Sequence, residues 1–177
     1  MRITPATMLT LLRLFLILPI LLLLWMDKPV IAMPLLVIAL LSDWVDGWLA
    51  RKTKTITKLG TFLDHFADKV MVHIILLYFV AEHGLSAIAF GVFLLRDFLV
   101  LGIRHLATQK GKEIGSMWLG KIKFWGQSVL LILLVATLIW PILILAQVTT
   151  VVLWVSVVLA ALSAIQILQK GIPVLRG

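Results

Sequence analysis

The run from Phe124 to Gln169, FWGQSVLLILLVATLIWPILILAQVTTVVLWVSVVLAALSAIQILQ, contains no charged residue. Crossing the hydrocarbon of a bilayer takes roughly 20 helical residues, so this run is long enough for two passes, with Pro141 and Gln147 marking the turn between them. A membrane strand would alternate polar and apolar residues; the unbroken Leu, Ile and Val stretches therefore read as helices and not as a barrel.

Working outward, four more charge-free runs are too short to span alone: Leu14 to Met26, Pro29 to Ser42, Val70 to Ala81 and Gly84 to Leu95. Each helix has to continue into a charged stretch. The predicted map is helix 1 over Thr7 to Met26, helix 2 over Val30 to Lys52, helix 3 over Thr61 to Glu82, helix 4 over Leu85 to Ala107, helix 5 over Met117 to Ile139 and helix 6 over Leu143 to Leu168. Met1 to Ala6 is expected to lie along the interface. The expected fold is thus an all-α integral membrane protein of six transmembrane helices with an N-terminal interfacial segment, one domain over residues 1–177.

Composition agrees. The 177 residues are 62% hydrophobic and 14% charged, with a mean hydropathy of +1.14, too apolar for a soluble domain. With no cysteine, disulfides and thiolate metal sites are excluded, and any metal takes oxygen or histidine ligands. The net charge of +8 comes from Lys and Arg at helix ends, which points to lipid head groups and phosphorylated substrates, not to nucleic acid. Lys52, Lys54, Lys58, Lys110 and Lys112 lie in loops on one side, which the positive-inside rule makes cytosolic. The chain is expected in the inner, or cytoplasmic, membrane as a multi-pass protein. Trp25, Trp118 and Trp140 fall near span ends, as interface aromatics do.

Four of the chain's eight acids fall within 26 residues. Asp43 and Asp46 are three apart on helix 2, Asp64 and Asp68 four apart on helix 3, so each pair shares a helix face. The short connection suggests antiparallel neighbours whose acidic faces converge. A carboxylate at membrane depth is costly and normally faces a cavity, a counter-charge or a metal. Converging carboxylates repel unless a divalent cation sits among them, and hard oxygen ligands favour Mg2+ or Mn2+. Two other readings stand beside this one: ion pairs with Arg51, Lys58 and Lys69, or a proton or metal-ion pathway through a transporter.

The string Asp43-Trp-Val-Asp46-Gly47-Trp-Leu-Ala50-Arg51, then eight residues to Gly60, three to Asp64 and three to Asp68, is similar to the signature of the CDP-alcohol phosphotransferase family. All eight fixed positions and both gaps of D-x-x-D-G-x-x-A-R and G-x-x-x-D-x-x-x-D match. The resemblance implies a six-helix enzyme, usually a homodimer, with a cytosolic active site that binds a CDP-linked alcohol and divalent cations. Asp43, Asp46 and Asp64 would then be the main metal ligands, and Asp68 would complete the site and act as general base. Gly47, Ala50, Arg51, Gly60 and Thr10 would line the donor pocket.

Further stretches, Leu9 to Arg13, Phe62 to Asp64, Ala67 to Lys69, Arg96-Asp97 with Arg104, and Leu119 to Lys123, resemble members that transfer a phosphatidyl group from CDP-diacylglycerol to glycerol 3-phosphate. Arg96, Arg104, Lys121 and Lys123 would then form the acceptor phosphate pocket, with Arg supplying bidentate contacts. Lys121 and Lys123 could equally be positive-inside residues, and Arg96 and Asp97 could neutralise each other. The chain departs from the usual pattern where Thr4, Pro5 and Thr7 replace an Asn-Pro-type opening, and at His65, Asp97 and Phe124. A cardiolipin synthase of the same superfamily, with phosphatidylglycerol as acceptor, is the competing enzyme reading.

Overall fold

The computed structural model describes residues 5–53, 58–112, 115 and 118–176, and the side chains of 12–42, 66–67, 69–112, 115 and 118–173. These residues form six helices and no strand: α1 (Pro5–Trp25), α2 (Pro29–Thr53), α3 (Lys58–His83), α4 (Ala87–Gln109), α5 (Trp118–Ile139) and α6 (Leu143–Arg176). Two of them, α5 and α6 up to Pro173, are long and apolar enough to cross a membrane. Leu12–Trp25 and Pro29–Ser42 are shorter apolar stretches.

The helices end where local chemistry stops them. Asp27 closes α1 at φ 54°, with Asp27 N–H donating to Leu24 O at 3.2 Å and Lys28 N–H to Leu23 O at 2.8 Å. This is the double cap of a left-handed C′ residue, a conformation Asp tolerates better than most side chains. Gly111 repeats the arrangement after α4 at φ 69°, with Gly111 N–H on Thr108 O and Lys112 N–H on Ala107 O. Ser86 caps the start of α4, its Oγ accepting from Ala89 N–H at 3.4 Å.

Most boundaries fall within three residues of expectation, and three of the shifts bear on the reading. Helix α1 starts at Pro5, so Pro5 and Ala6 already belong to its first turn; proline suits a first turn, where its missing N–H has no partner to lose. Met1 to Thr4 lie outside the described residues. Gly60 is within the first turn of α3 instead of in the turn before it. Helix α6 continues past Leu168 to Arg176, because its C-terminal half packs on α4: Ile167 joins Val100 and Ile103 in a buried cluster. There Gly171 leaves room for Ile103, whose Cγ2 would lie 2.3 Å from a Cβ at that position.

The main buried cluster draws Ile17, Ile20 and Leu24 from α1, Leu36 from α2, Met71, Ile75 and Phe79 from α3, Phe93 from α4, Leu130 and Leu131 from α5, and Leu153 from α6. Helix α1 packs on both α2 and α3, and so does α5. Among the described residues, α1 and α5 are thus partners shared by α2 and α3, and the ends where a direct antiparallel pair is expected, 43–65, have side chains outside the described residues. A short connection constrains only the ends it joins; the fully buried side chains of α1 select the neighbours.

Helices α5 and α6 approach through small residues. A Cβ on Gly126 would stand 3.1 Å from Ser156 Oγ, and one on Gly120 would stand 4.0 Å from Ser163 Oγ. As one index rises the other falls, which is an antiparallel register. The outward faces carry large apolar side chains instead, including Phe15, Leu18, Ile88, Leu95, Val151 and Val158. Trp25, Trp118 and Trp140, all expected near span ends, are exposed.

Candidate active site

Charged groups gather where α3, α4, α5 and α6 meet. Helix α4 buries Ala89, Phe93, Arg96, Asp97, Val100, Ile103 and Ala107, spaced by three and four so that Arg96 and Asp97 enter the interior on the same face as its apolar anchors. Helix α5 buries Lys123 at its N-terminal end. Asp97 is 4% exposed, Lys123 3% and Arg96 8%.

Asp97 is the hub. Arg96 Nη1 donates to Asp97 Oδ1 at 2.6 Å, and Lys123 Nζ donates to Oδ1 at 2.9 Å and Oδ2 at 2.8 Å. Unpaired burial of any of these ions would cost several kcal/mol, on the order of what the mutual attraction must offset. Two cations face one carboxylate, so the group retains one excess positive charge. Lys123 also lies 5.9 Å from the Phe93 ring centroid, near the outer limit of a cation–π contact.

His73 on α3 forms the third side of the hub. Its Nδ1 is 2.7 Å from Lys69 O, and a carbonyl only accepts, so Nδ1 carries a proton there. Nε2 points at Asp97 Oδ2 across 3.7 Å and has no hydrogen-bond partner among the described residues. Alongside lies a crevice of about 220 Å³ between α3 and α4, walled by Phe66, Ile74, Leu77, Phe90, Leu94 and Phe98, with Lys69, His73 and Asp97 as its polar lining.

Of the four cations expected around an acceptor phosphate, Arg96 and Lys123 are therefore tied into the hub. Arg104, a little over two turns further along α4, is half-buried, with its Nε unpartnered among the described residues. Lys121 is exposed on α5. The remaining expected site residues, Thr10, Asp43, Asp46, Gly47, Ala50, Arg51, Gly60, Asp64 and Asp68, have side chains outside the described residues. Their backbones are helical, Thr10 in α1, Asp43 to Arg51 in α2 and Gly60 to Asp68 in α3.

That helicity bears on a metal. Spacings of three in α2 and four in α3 put each aspartate pair on one helix face, and an oxygen-only donor set fits a hard divalent cation. Among the described residues no cluster of three or more His, Asp or Glu could hold one.

The sequence reading missed two contributors. Ser163 of α6 is fully buried and accepts from Arg96 Nη2 at 2.7 Å and Nε at 3.2 Å. His73 showed no partner pattern, because the Asp97 carboxylate it faces lies on another helix. A signal for Ser163 did exist: Thr149, Ser156, Ala160 and Ser163 recur at helical spacing in an otherwise apolar helix.

The family model for CDP-alcohol phosphatidyltransferase matches residues 3–162. The chain is similar to a CDP-diacylglycerol--glycerol-3-phosphate 3-phosphatidyltransferase of Sodalis glossinidius, 35% identical over 141 residues that cover 76% of this chain and 75% of that one. The enzyme of the same name from Bacillus subtilis is 39% identical over 95 residues, 54% of this chain and 49% of the relative. The Yersinia pestis enzyme is 36% identical over 104 residues, 56% and 57% of the two chains. The chain thus spans about half the length of the Bacillus and Yersinia relatives and three quarters of the Sodalis one. With the family model covering all six helices in whole or in part and the Sodalis relative aligned over most of its length, this chain belongs to the CDP-alcohol phosphatidyltransferase family.

Proposed function

We propose that the protein transfers the phosphatidyl group of CDP-diacylglycerol to glycerol 3-phosphate, releasing CMP and forming phosphatidylglycerophosphate. The observation that carries this reading is the full set of eight signature residues on α2 and α3, together with a buried, net-positive group on α4 and α5. The relatives' names supply the donor and acceptor.

In this reading Asp43, Asp46, Asp64 and Asp68 hold a divalent cation, Mg2+ or Mn2+. Such an ion, when bound, neutralises charge on the donor's phosphoryl oxygens. The residues supply the rest. Gly47, Ala50, Arg51, Gly60 and Thr10 seat the cytidine diphosphate. Asp68 takes the proton from the attacking hydroxyl of the acceptor as its oxygen bonds to the phosphatidyl phosphorus and the bond to CMP breaks. Arg96, Arg104, Lys121 and Lys123 attract and orient the acceptor's phosphate; the excess positive charge around Asp97 supports that role, and exposed Lys121 and half-buried Arg104 are the contacts an incoming phosphate meets first.

The surroundings suit a lipid substrate. Large apolar side chains on the outward helix faces support a six-span membrane domain over residues 1–177, with its charged end in the cytosol and the chain paired as a homodimer. The crevice between α3 and α4 offers an acyl chain an apolar wall beside Lys69.

The test is to incubate purified protein with CDP-diacylglycerol, Mg2+ and a panel of alcohols and to follow CMP release. Release with glycerol 3-phosphate well above that with phosphatidylglycerol or inositol phosphate is expected. Release with phosphatidylglycerol alone would replace this reading with cardiolipin synthesis, and no release with any alcohol would overturn it.

A further inference from the structure

We propose that Ser163, on α6 and one residue past the stretch matched by the family model, is a positioning residue that holds the Arg96 guanidinium for the acceptor's phosphate. The inference rests on the acceptor pocket proposed above and adds the last helix to it.

Three elements shape this one side chain. Asp97, its neighbour on α4, accepts from Nη1 at 2.6 Å. Ser163 of α6 accepts from both Nε and Nη2. Gly120 of α5 provides the space, since a Cβ there would lie 3.1 Å from Nη2. A guanidinium has five N–H donors in a rigid plane. Three are engaged by protein, and the two left sit one on each terminal nitrogen, where a phosphate could take both. A plane held from two sides loses little conformational freedom on binding its ligand.

Ser163 is bonded differently from three other helical hydroxyls of the bundle. Ser128, Thr149 and Thr150 each donate to the carbonyl four residues back in their own helix, the usual outlet for a helical hydroxyl. Ser163 takes two N–H groups from another helix 67 residues away in sequence, at a fully buried position. Packing alone would be served by alanine, as at Ala160 one turn earlier, which is equally buried.

The experiment compares acceptor and donor kinetics of the full-length enzyme and of Ser163→Ala, Ser163→Thr, Gly120→Ala and Arg96→Ala, with CMP release as readout. Hydrogen bonds to charged groups predict a rise of about tenfold or more in the KM for glycerol 3-phosphate in Ser163→Ala, with the KM for CDP-diacylglycerol unchanged. Ser163→Thr, which keeps the hydroxyl, should recover most of that loss. Gly120→Ala, which pushes on Nη2, should show the same acceptor-only defect. An acceptor KM within twofold of wild type in Ser163→Ala, while Arg96→Ala raises it, overturns the role of Ser163 and leaves the pocket standing. No acceptor effect in Arg96→Ala overturns both. Equal rises in both KM values for Ser163→Ala would mean that the serine only packs.

Discussion

Helices α2 and α3 carry four aspartates in two helical pairs, whereas α4 and α5 carry four cations, Arg96, Arg104, Lys121 and Lys123, with one carboxylate, Asp97, among them. The difference lies in what each region needs from outside. Arg96 and Lys123 already share a buried counter-ion, so these two belong to the folded core and leave it one excess positive charge. The aspartates, in our reading, need a divalent ion to coexist. Removing an aspartate from α2 or α3 should therefore act on chemistry, and removing Asp97 should act on the fold.

The largest expected effect is on turnover. Asp68→Asn should lower kcat by about 10²- to 10⁴-fold, the range of a lost general base, while retaining part of the metal binding. Near-normal CMP release by that variant would remove the assignment. Asp43→Asn should also lose turnover yet unfold at the same or a higher temperature in the absence of divalent ions, because it relieves repulsion. A large drop in Tm would make the α2 pair structural, like Asp97.

On the other side of the comparison, Asp97→Ala leaves Arg96 and Lys123 buried without a counter-ion and should cost about 3–5 kcal/mol of stability, read as thermal unfolding in detergent. Added Mg2+ should not restore it. An unchanged Tm would show that the cations reach water without Asp97. Smaller still is Gly171→Ala, where the new methyl meets Ile103. Overpacking of this kind costs about 1–3 kcal/mol, with acceptor and donor KM unchanged in the fraction that folds. The smallest change is expected at Asp27, whose φ of 54° suits glycine: Asp27→Gly should shift stability by less than about 1 kcal/mol in either direction.

How much of this was legible in the sequence depends on the range of each interaction. The six helices were, because charge-free runs too short to span had to borrow length from their charged flanks, and the ends fell close to the observed ones. The far end of α6 was not: the charge-free run closes at Gln169, while the packing of Ile167 and Gly171 on α4 carries the helix onward. The aspartate signature was legible because its spacing is local, within α2 and α3. The hub at Asp97 was half legible. Its neighbour Arg96 suggested a pair, but Lys123 lies 26 residues from Asp97 and Ser163 67 from Arg96. A serine hydroxyl barely alters the hydropathy of the run around it, so no composition argument singles it out. The expected meeting of α2 with α3 falls on residues 43–65, whose side chains lie outside the described residues.

The central claim is that the aspartates of α2 and α3 share a divalent cation on which transfer depends. Titrating the purified, metal-stripped protein with Mn2+ by electron paramagnetic resonance, alongside CMP release, tests it most directly. The account predicts saturable Mn2+ binding that is weakened by Asp43→Asn, Asp46→Asn and Asp64→Asn, with CMP release rising along the same curve. Mn2+ binding untouched by all three substitutions, or full CMP release in the presence of a chelator, would contradict it.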